Sequence, residues 1–112
     1  MLNILYEEIK TFKQQTFSDK FDVNIQNSTT NGTFIFELND FNNIQDLKVY
    51  FREPNGKTIN ENCECYTRDY INRKIVLKHE TDLLGTWTIF IQRANLANPK
   101  DVNFSVKAIG NL

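Results

Sequence analysis

No stretch of this chain approaches the ~20 consecutive apolar residues that a membrane-spanning helix requires. No secretory signal is expected either, because Glu7 and Glu8 interrupt the start MLNILYEEIK where an unbroken hydrophobic run would have to lie. Neither sign of charge dominates: 13 basic residues face 14 acidic ones and leave a net charge of -1. With no basic cluster, nucleic-acid phosphates are not an expected partner. The four glycines, Gly32, Gly56, Gly85 and Gly110, stand apart, so no glycine-rich phosphate loop exists. Histidine occurs once, as His79, inside the charged run Lys78-His79-Glu80. Cysteine occurs twice, as Cys63 and Cys65, and one distant histidine does not complete the paired spacing of a structural zinc site. Read as neighbours two apart on a strand, the cysteines point the same way. A bond between them would close a very tight ring, so free thiols are the expectation. Calcium loops rich in Asp are absent too, and no Ser, Cys or Thr sits beside an evident base. These absences predict a chain without catalytic residues, metal or cofactor.

Aromatic residues are what the chain has in supply: nine Phe, four Tyr and one Trp. Its 112 residues fit one domain, large enough to bury a single core. From Phe21 onward the apolar residues recur with period two. Phe21, Val23 and Ile25 alternate with polar neighbours, and the same holds for Phe34, Phe36 and Leu38. Leu47, Val49 and Phe51 follow, then a weaker stretch over 57–67, then Ile75 and Leu77. Trp87, Ile89 and Ile91 come next, and Val102, Phe104, Val106 and Ala108 close the series. Turn signals separate these runs, among them Asn27 to Gly32 and Glu53-Pro54-Asn55-Gly56. Seven strands with no helix-length pattern between them predict an all-β, antiparallel sandwich of immunoglobulin-like architecture over 21–112. A jelly roll or small closed barrel is the alternative. Asn27, Asn31 and Asn103 each head a glycosylation acceptor pattern, as chance supplies in so asparagine-rich a chain.

The first 20 residues read differently. Leu2, Leu5, Tyr6, Ile9 and Phe12 recur at three- and four-residue spacing, which makes one stripe on a helix. A helix this short needs a surface to bury against, either the domain's own flank or another chain. These five residues are therefore the candidate protein contact, on a helix-and-linker segment (1–20) added to the sandwich.

The ordered series DLKVYFREPNGKT (46–58), RKIVL (73–77), LGTWTI (84–89) and VNFSV (102–106) resembles the immunoglobulin-like N-terminal domain of phage baseplate upper proteins. The Asp46-Leu47…Pro54-Asn55-Gly56 and Gly85-Thr86-Trp87-Thr88-Ile89 pieces also look like the P domain that accompanies subtilisin-like proteases. The first resemblance implies a non-enzymatic structural module of a virion (capsid, tail or baseplate). It would dock onto neighbouring protein subunits, be located in the virion or in the host cytoplasm before assembly, and have a homo-oligomer as one possible state. The competing functional expectation is a carbohydrate-binding sandwich that uses Tyr50, Tyr66 or Tyr70 as a sugar platform.

Overall fold

Alternating burial carries the architecture. In the strand Val102–Asn111, the even-numbered residues Val102, Phe104, Val106, Ala108 and Gly110 are buried, while the odd-numbered ones between them are not. The computed structural model describes residues 2–39, 44–79, 82–94 and 100–112. Among these it forms nine strands: β1 (Leu2–Phe12), β2 (Ser18–Ile25), β3 (Thr30–Leu38), β4 (Leu47–Arg52), β5 (Thr58–Ile59), β6 (Tyr66–Asp69), β7 (Lys74–His79), β8 (Gly85–Arg93) and β9 (Val102–Asn111). A single 3-10 turn, Ile44–Asp46, precedes β4, and no α-helix occurs among the described residues. The strands form two antiparallel sheets, ordered β1-β9-β3-β7-β6 and β2-β8-β4-β5.

This order is nested. β1 pairs with β9, β2 with β8, β3 with β7 and β4 with β5, as when one long hairpin is rolled over itself. The pairing is that of a jelly roll, with β6 added outside β7. The all-β antiparallel sandwich expected from the alternation is present. Its strand order differs from the immunoglobulin arrangement, where successive strands are sheet neighbours more often.

Two further expectations give way. Among the described residues the strands number nine and not seven, because the weak stretch at 57–67 divides into β5 and β6 around a run of turns and the first segment adds β1. More consequentially, Leu2–Phe12 is a strand and not a helix. It pairs with β9 from Leu2↔Asn111 to Phe12↔Val102, so the sandwich begins at Leu2 and no separate 1–20 segment exists. The register shifts between Ile4 and Tyr6, a β-bulge at Leu5. That extra residue puts both Leu5 and Tyr6 against the core, between outward-facing Ile4 and Glu7. A bulge in a period-two pattern creates three- and four-residue spacings, which is why the segment mimics a helical stripe.

The core lies between the sheets. Phe34, Phe36, Phe51, Trp87 and Phe104 interlock there, with Phe36 stacked on Phe104 at 4.8 Å and Phe34 tilted against Trp87 at 4.9 Å. Trp87 is fully buried, and its indole Nε1 donates to the Leu83 carbonyl at 2.8 Å. Leu83 in turn covers Gly32, where a Cβ would lie 2.1 Å from the leucine Cγ, so only glycine lets this segment close over β3.

Side chains lock the connections. Arg93 is buried, at 7% exposure. Its Nε donates to the Thr16 carbonyl (2.8 Å), and its Nη2 donates to those of Lys13 and Lys100 (both 2.7 Å). Arg68 Nη1 likewise donates to the carbonyls of Ile44 and Leu47, at 2.7 and 2.9 Å. Two aspartates order loops. Asp82 Oδ1 accepts the N–H groups of Thr29 and Leu84, and Asp69 accepts those of Ile71 and Asn72 together with the Asn72 amide.

These hydrogen bonds hold both carboxyls below their ordinary value: Asp69 first through the Asn72 side chain, Asp82 first through the Thr29 N–H. A depressed folded-state value contributes stability above the unfolded value near 3.8 and loses it as pH falls through the folded one. Thermal melts are expected to be flat with respect to these two groups at neutral pH and to fall as pH drops below about 4. The double variant Asp69→Asn/Asp82→Asn should show a smaller fall, and an identical fall in both proteins would contradict the assignment.

Candidate functional site

β1 occupies one edge of the five-stranded sheet. Its outer face presents Leu2, Ile4 and Ile9 at 60%, 62% and 73% exposure. Ile109, across from Ile4, and Ile35, on β3, continue the apolar character of that face with partial exposure. Glu7 lies between them and pairs with Lys107 at 3.6 Å.

The inward side of the same strand carries charge. Glu8 and Lys10 form an ion pair at 3.5 Å, and the Lys10 ammonium lies 4.3 Å from the centre of the Phe21 ring. The Tyr6 hydroxyl hydrogen-bonds Glu8. Burial, reinforced by that carboxylate, pushes the Tyr6 phenol well above its ordinary value, so it is neutral. Inward-pointing charges on an edge strand discourage indiscriminate strand pairing.

The five residues of the expected helical stripe are thus divided. Leu2 and Ile9 are exposed, Leu5 and Tyr6 are half-buried on the core, and Phe12 is buried under the Arg93 guanidinium at 4.7 Å. Ile4 joins the exposed set; helical spacing leaves it off the stripe, whereas period-two alternation of Leu2 and Ile4 includes it.

The outer face of the four-stranded sheet is a different surface. Across β2, β8 and β4 the register aligns Lys20, Phe90 and Tyr50 in one row, with Asp22, Thr88 and Arg52 in the next. Tyr50 and Phe90 stack in parallel at 4.7 Å, and the Arg52 guanidinium lies 4.8 Å from the Phe90 ring centre. The three tyrosines considered as a sugar platform are not brought together. Tyr50 faces outward on this sheet, and Tyr70 is exposed beyond the end of β6 in the other. Tyr66 is buried, donates its hydroxyl to the Val49 carbonyl at 2.6 Å, and has its phenol pushed up to about 12 by burial.

A third place was not legible as a unit in the sequence. Glu53, Lys57, Cys63, Cys65 and His79 line one cleft of about 360 Å³. His79 Nε2 lies 2.7 Å from Glu53 Oε1, and the imidazole meets the Trp87 ring edge-on at 5.2 Å. Contrary to the expectation of free thiols, Cys63 and Cys65 are disulfide-bonded, with Cα atoms 5.1 Å apart. The expectation assumed an extended strand, in which residues two apart stand about 6.6 Å from each other. Residues 60–65 instead form turns, closed by the Cys63 N–H on the Asn60 carbonyl at 3.0 Å, and the shorter spacing suits a bridge. Among the described residues no group of three or more His, Cys, Asp or Glu is placed to hold a metal ion.

No protein-family model matches the chain, and neither does any curated protein. Solved structures show its fold elsewhere. A serine protease of Aeromonas sobria is similar at TM-score 0.58 and 11% identity, over 99% of this chain and 27% of the protease. A periplasmic inhibitor of g-type lysozyme from Aeromonas hydrophila is similar at TM-score 0.50 and 10% identity, over 94% of this chain and 83% of the inhibitor. The chain therefore spans about a quarter of the protease's length, and identities this low establish the fold alone.

Proposed function

We propose that this chain is a non-enzymatic docking module, a structural subunit that contacts a neighbouring subunit through β1, as a virion component would. The observation that carries this reading is the row of exposed Leu2, Ile4 and Ile9 on an 11-residue edge strand. Large apolar side chains gain nothing from water, and each buried against a partner contributes about 1.5–3 kcal/mol. Strand edges and flat apolar faces are the usual means by which one β-domain adds to another. The occupant favoured here is a second copy of the chain, since two antiparallel β1 edges are self-complementary about a two-fold axis.

A second reading keeps the same chemistry in another setting, that of an accessory sandwich attached to a larger protein, like the P domain of subtilisin-like proteases. What favours it is the overlay of nearly the whole chain on about a quarter of a serine protease. The carbohydrate-binding alternative has less support, because Tyr66 is buried, Tyr50 lies on the four-stranded sheet and Tyr70 lies in a turn beyond the end of β6 in the other.

Light scattering on the purified chain should return a multiple of 13.2 kDa, and Ile4→Asp/Ile9→Asp should return the monomer with an unchanged circular dichroism spectrum. Both isoleucines are largely exposed, so the double variant should fold. A wild-type chain that is monomeric both alone and in extracts of its source would overturn the reading.

A further inference from the structure

We propose that the Cys63–Cys65 bridge is a reversible thiol–disulfide exchange site that reacts with small thiols entering the cleft between β5, the 60–65 turns and His79. The inference is independent of the docking function and rests on different residues.

The bridge closes a very short loop, with a sequence separation of two. The entropy that a cross-link removes from the unfolded chain grows with loop length, so this bridge contributes little to holding the fold. The surrounding backbone already does that work. Besides the Cys63 N–H on Asn60, the Tyr66 N–H donates to the Cys63 carbonyl (3.1 Å) and the Lys78 N–H to that of Cys65 (2.9 Å). Those bonds involve no sulfur. They keep the two cysteines adjacent when the bridge is open, so the site can close again.

The sulfurs are also reachable and unequal. Both cysteines are only partly buried and line an open cleft, together with Lys57 and His79. The Cys65 N–H lies 3.2 Å from Cys63 Sγ and points at it. A hydrogen bond of this kind favours the thiolate over the thiol, which makes Cys63 the better leaving group.

The exchange follows from that asymmetry. A thiolate of the incoming reductant attacks Cys65 Sγ, the Cys63–Cys65 bond breaks, and Cys63 departs as a thiolate held by the Cys65 N–H. A second thiol of the reductant, or a second small-thiol molecule, then attacks the mixed disulfide at the reductant's own sulfur and releases Cys65. Two electrons pass to the protein, the reductant becomes a disulfide, and the two protons given up by the reductant's thiols return to Cys63 and Cys65.

Folded protein incubated with reduced and oxidised glutathione in varied ratio should interconvert fully between bridged and dithiol forms, with its circular dichroism spectrum retained throughout. After reduction, brief alkylation with iodoacetamide followed by peptide mass mapping should find Cys63 modified at least about tenfold faster than Cys65, the difference expected of a selectively stabilised thiolate. Cys63→Ser should trap a mixed disulfide with glutathione at Cys65, because the thiolate that would expel glutathione is gone. Reduction that proceeds only when the protein is unfolded would overturn the proposal, as would a dithiol form that fails to close under oxidised glutathione, or equal alkylation of the two cysteines. Mapping on the wild-type chain keeps the test decisive even where the serine variant does not fold.

Discussion

Trp87→Ala is expected to cost about 3–5 kcal/mol of unfolding free energy, read from urea denaturation. The indole is fully buried in β8, tilted against Phe34 at 4.9 Å and meeting the His79 ring edge-on at 5.2 Å. Removing it leaves a cavity that these rings and the neighbouring β-branched residues cannot collapse into, because both sheets fix their backbones. It also strands the Leu83 carbonyl, which the indole N–H satisfies at 2.8 Å. Domains of this size are stable by about 5–15 kcal/mol, so the variant should populate unfolded chains measurably at mild temperature. Trp87→Phe divides the effect. It retains most of the volume and loses the hydrogen bond, and a cost of about 1–2 kcal/mol is expected. A loss below about 1 kcal/mol for Trp87→Ala would show that the packing around β8 is looser than described.

The second large effect belongs to Arg93. Its guanidinium spans three carbonyls that come from two separate connections: Lys13 and Thr16 between β1 and β2, and Lys100 before β9. No apolar residue can donate to them. Arg93→Ala should therefore destabilise by about 2–4 kcal/mol, on the scale of one or two charge-assisted hydrogen bonds plus lost contact with Phe12. Arg93→Lys should recover less than half, since an ammonium cannot reproduce the planar fork. Hydrogen exchange locates the damage: amides of β1 and the start of β2 should lose protection before those of β3 and β7. If Arg93→Ala lowers protection evenly across both sheets, the residue acts as generic core and not as a clasp. Arg52 on the outer face serves as the control, and Arg52→Ala should be close to neutral.

How these residues read in the sequence differs. Trp87, Ile89 and Ile91 announce a buried strand face by alternation, and the same holds for Phe34, Phe36 and Leu38. Arg93 gives no such signal, because a single arginine at the end of a strand looks like any solvated charge. Its carbonyl partners are 77, 80 and 7 residues away, and only the closure of the roll brings them together. The cleft of Glu53, Cys63, Cys65 and His79 is hidden for the same reason. The cysteine spacing was visible, but whether it lies on a strand or in a turn decides between two thiols and a bridge. The β1 segment misleads in a third way: one bulged residue, Leu5, converts a two-residue period into the spacing of a helix.

By itself the sequence determined the class of the protein. Alternation with turn punctuation permits only an antiparallel sheet with one dry face, and the aromatic supply gives two such sheets a common core. Strand order and the contents of each surface were decided by tertiary structure alone. Side-chain period specifies which face of a strand is buried and carries no information about which strand lies beside it. That choice depends on pairing between residues as distant as Leu2 and Asn111, and it is what turned the first segment from an appended helix into the exposed apolar edge of the roll.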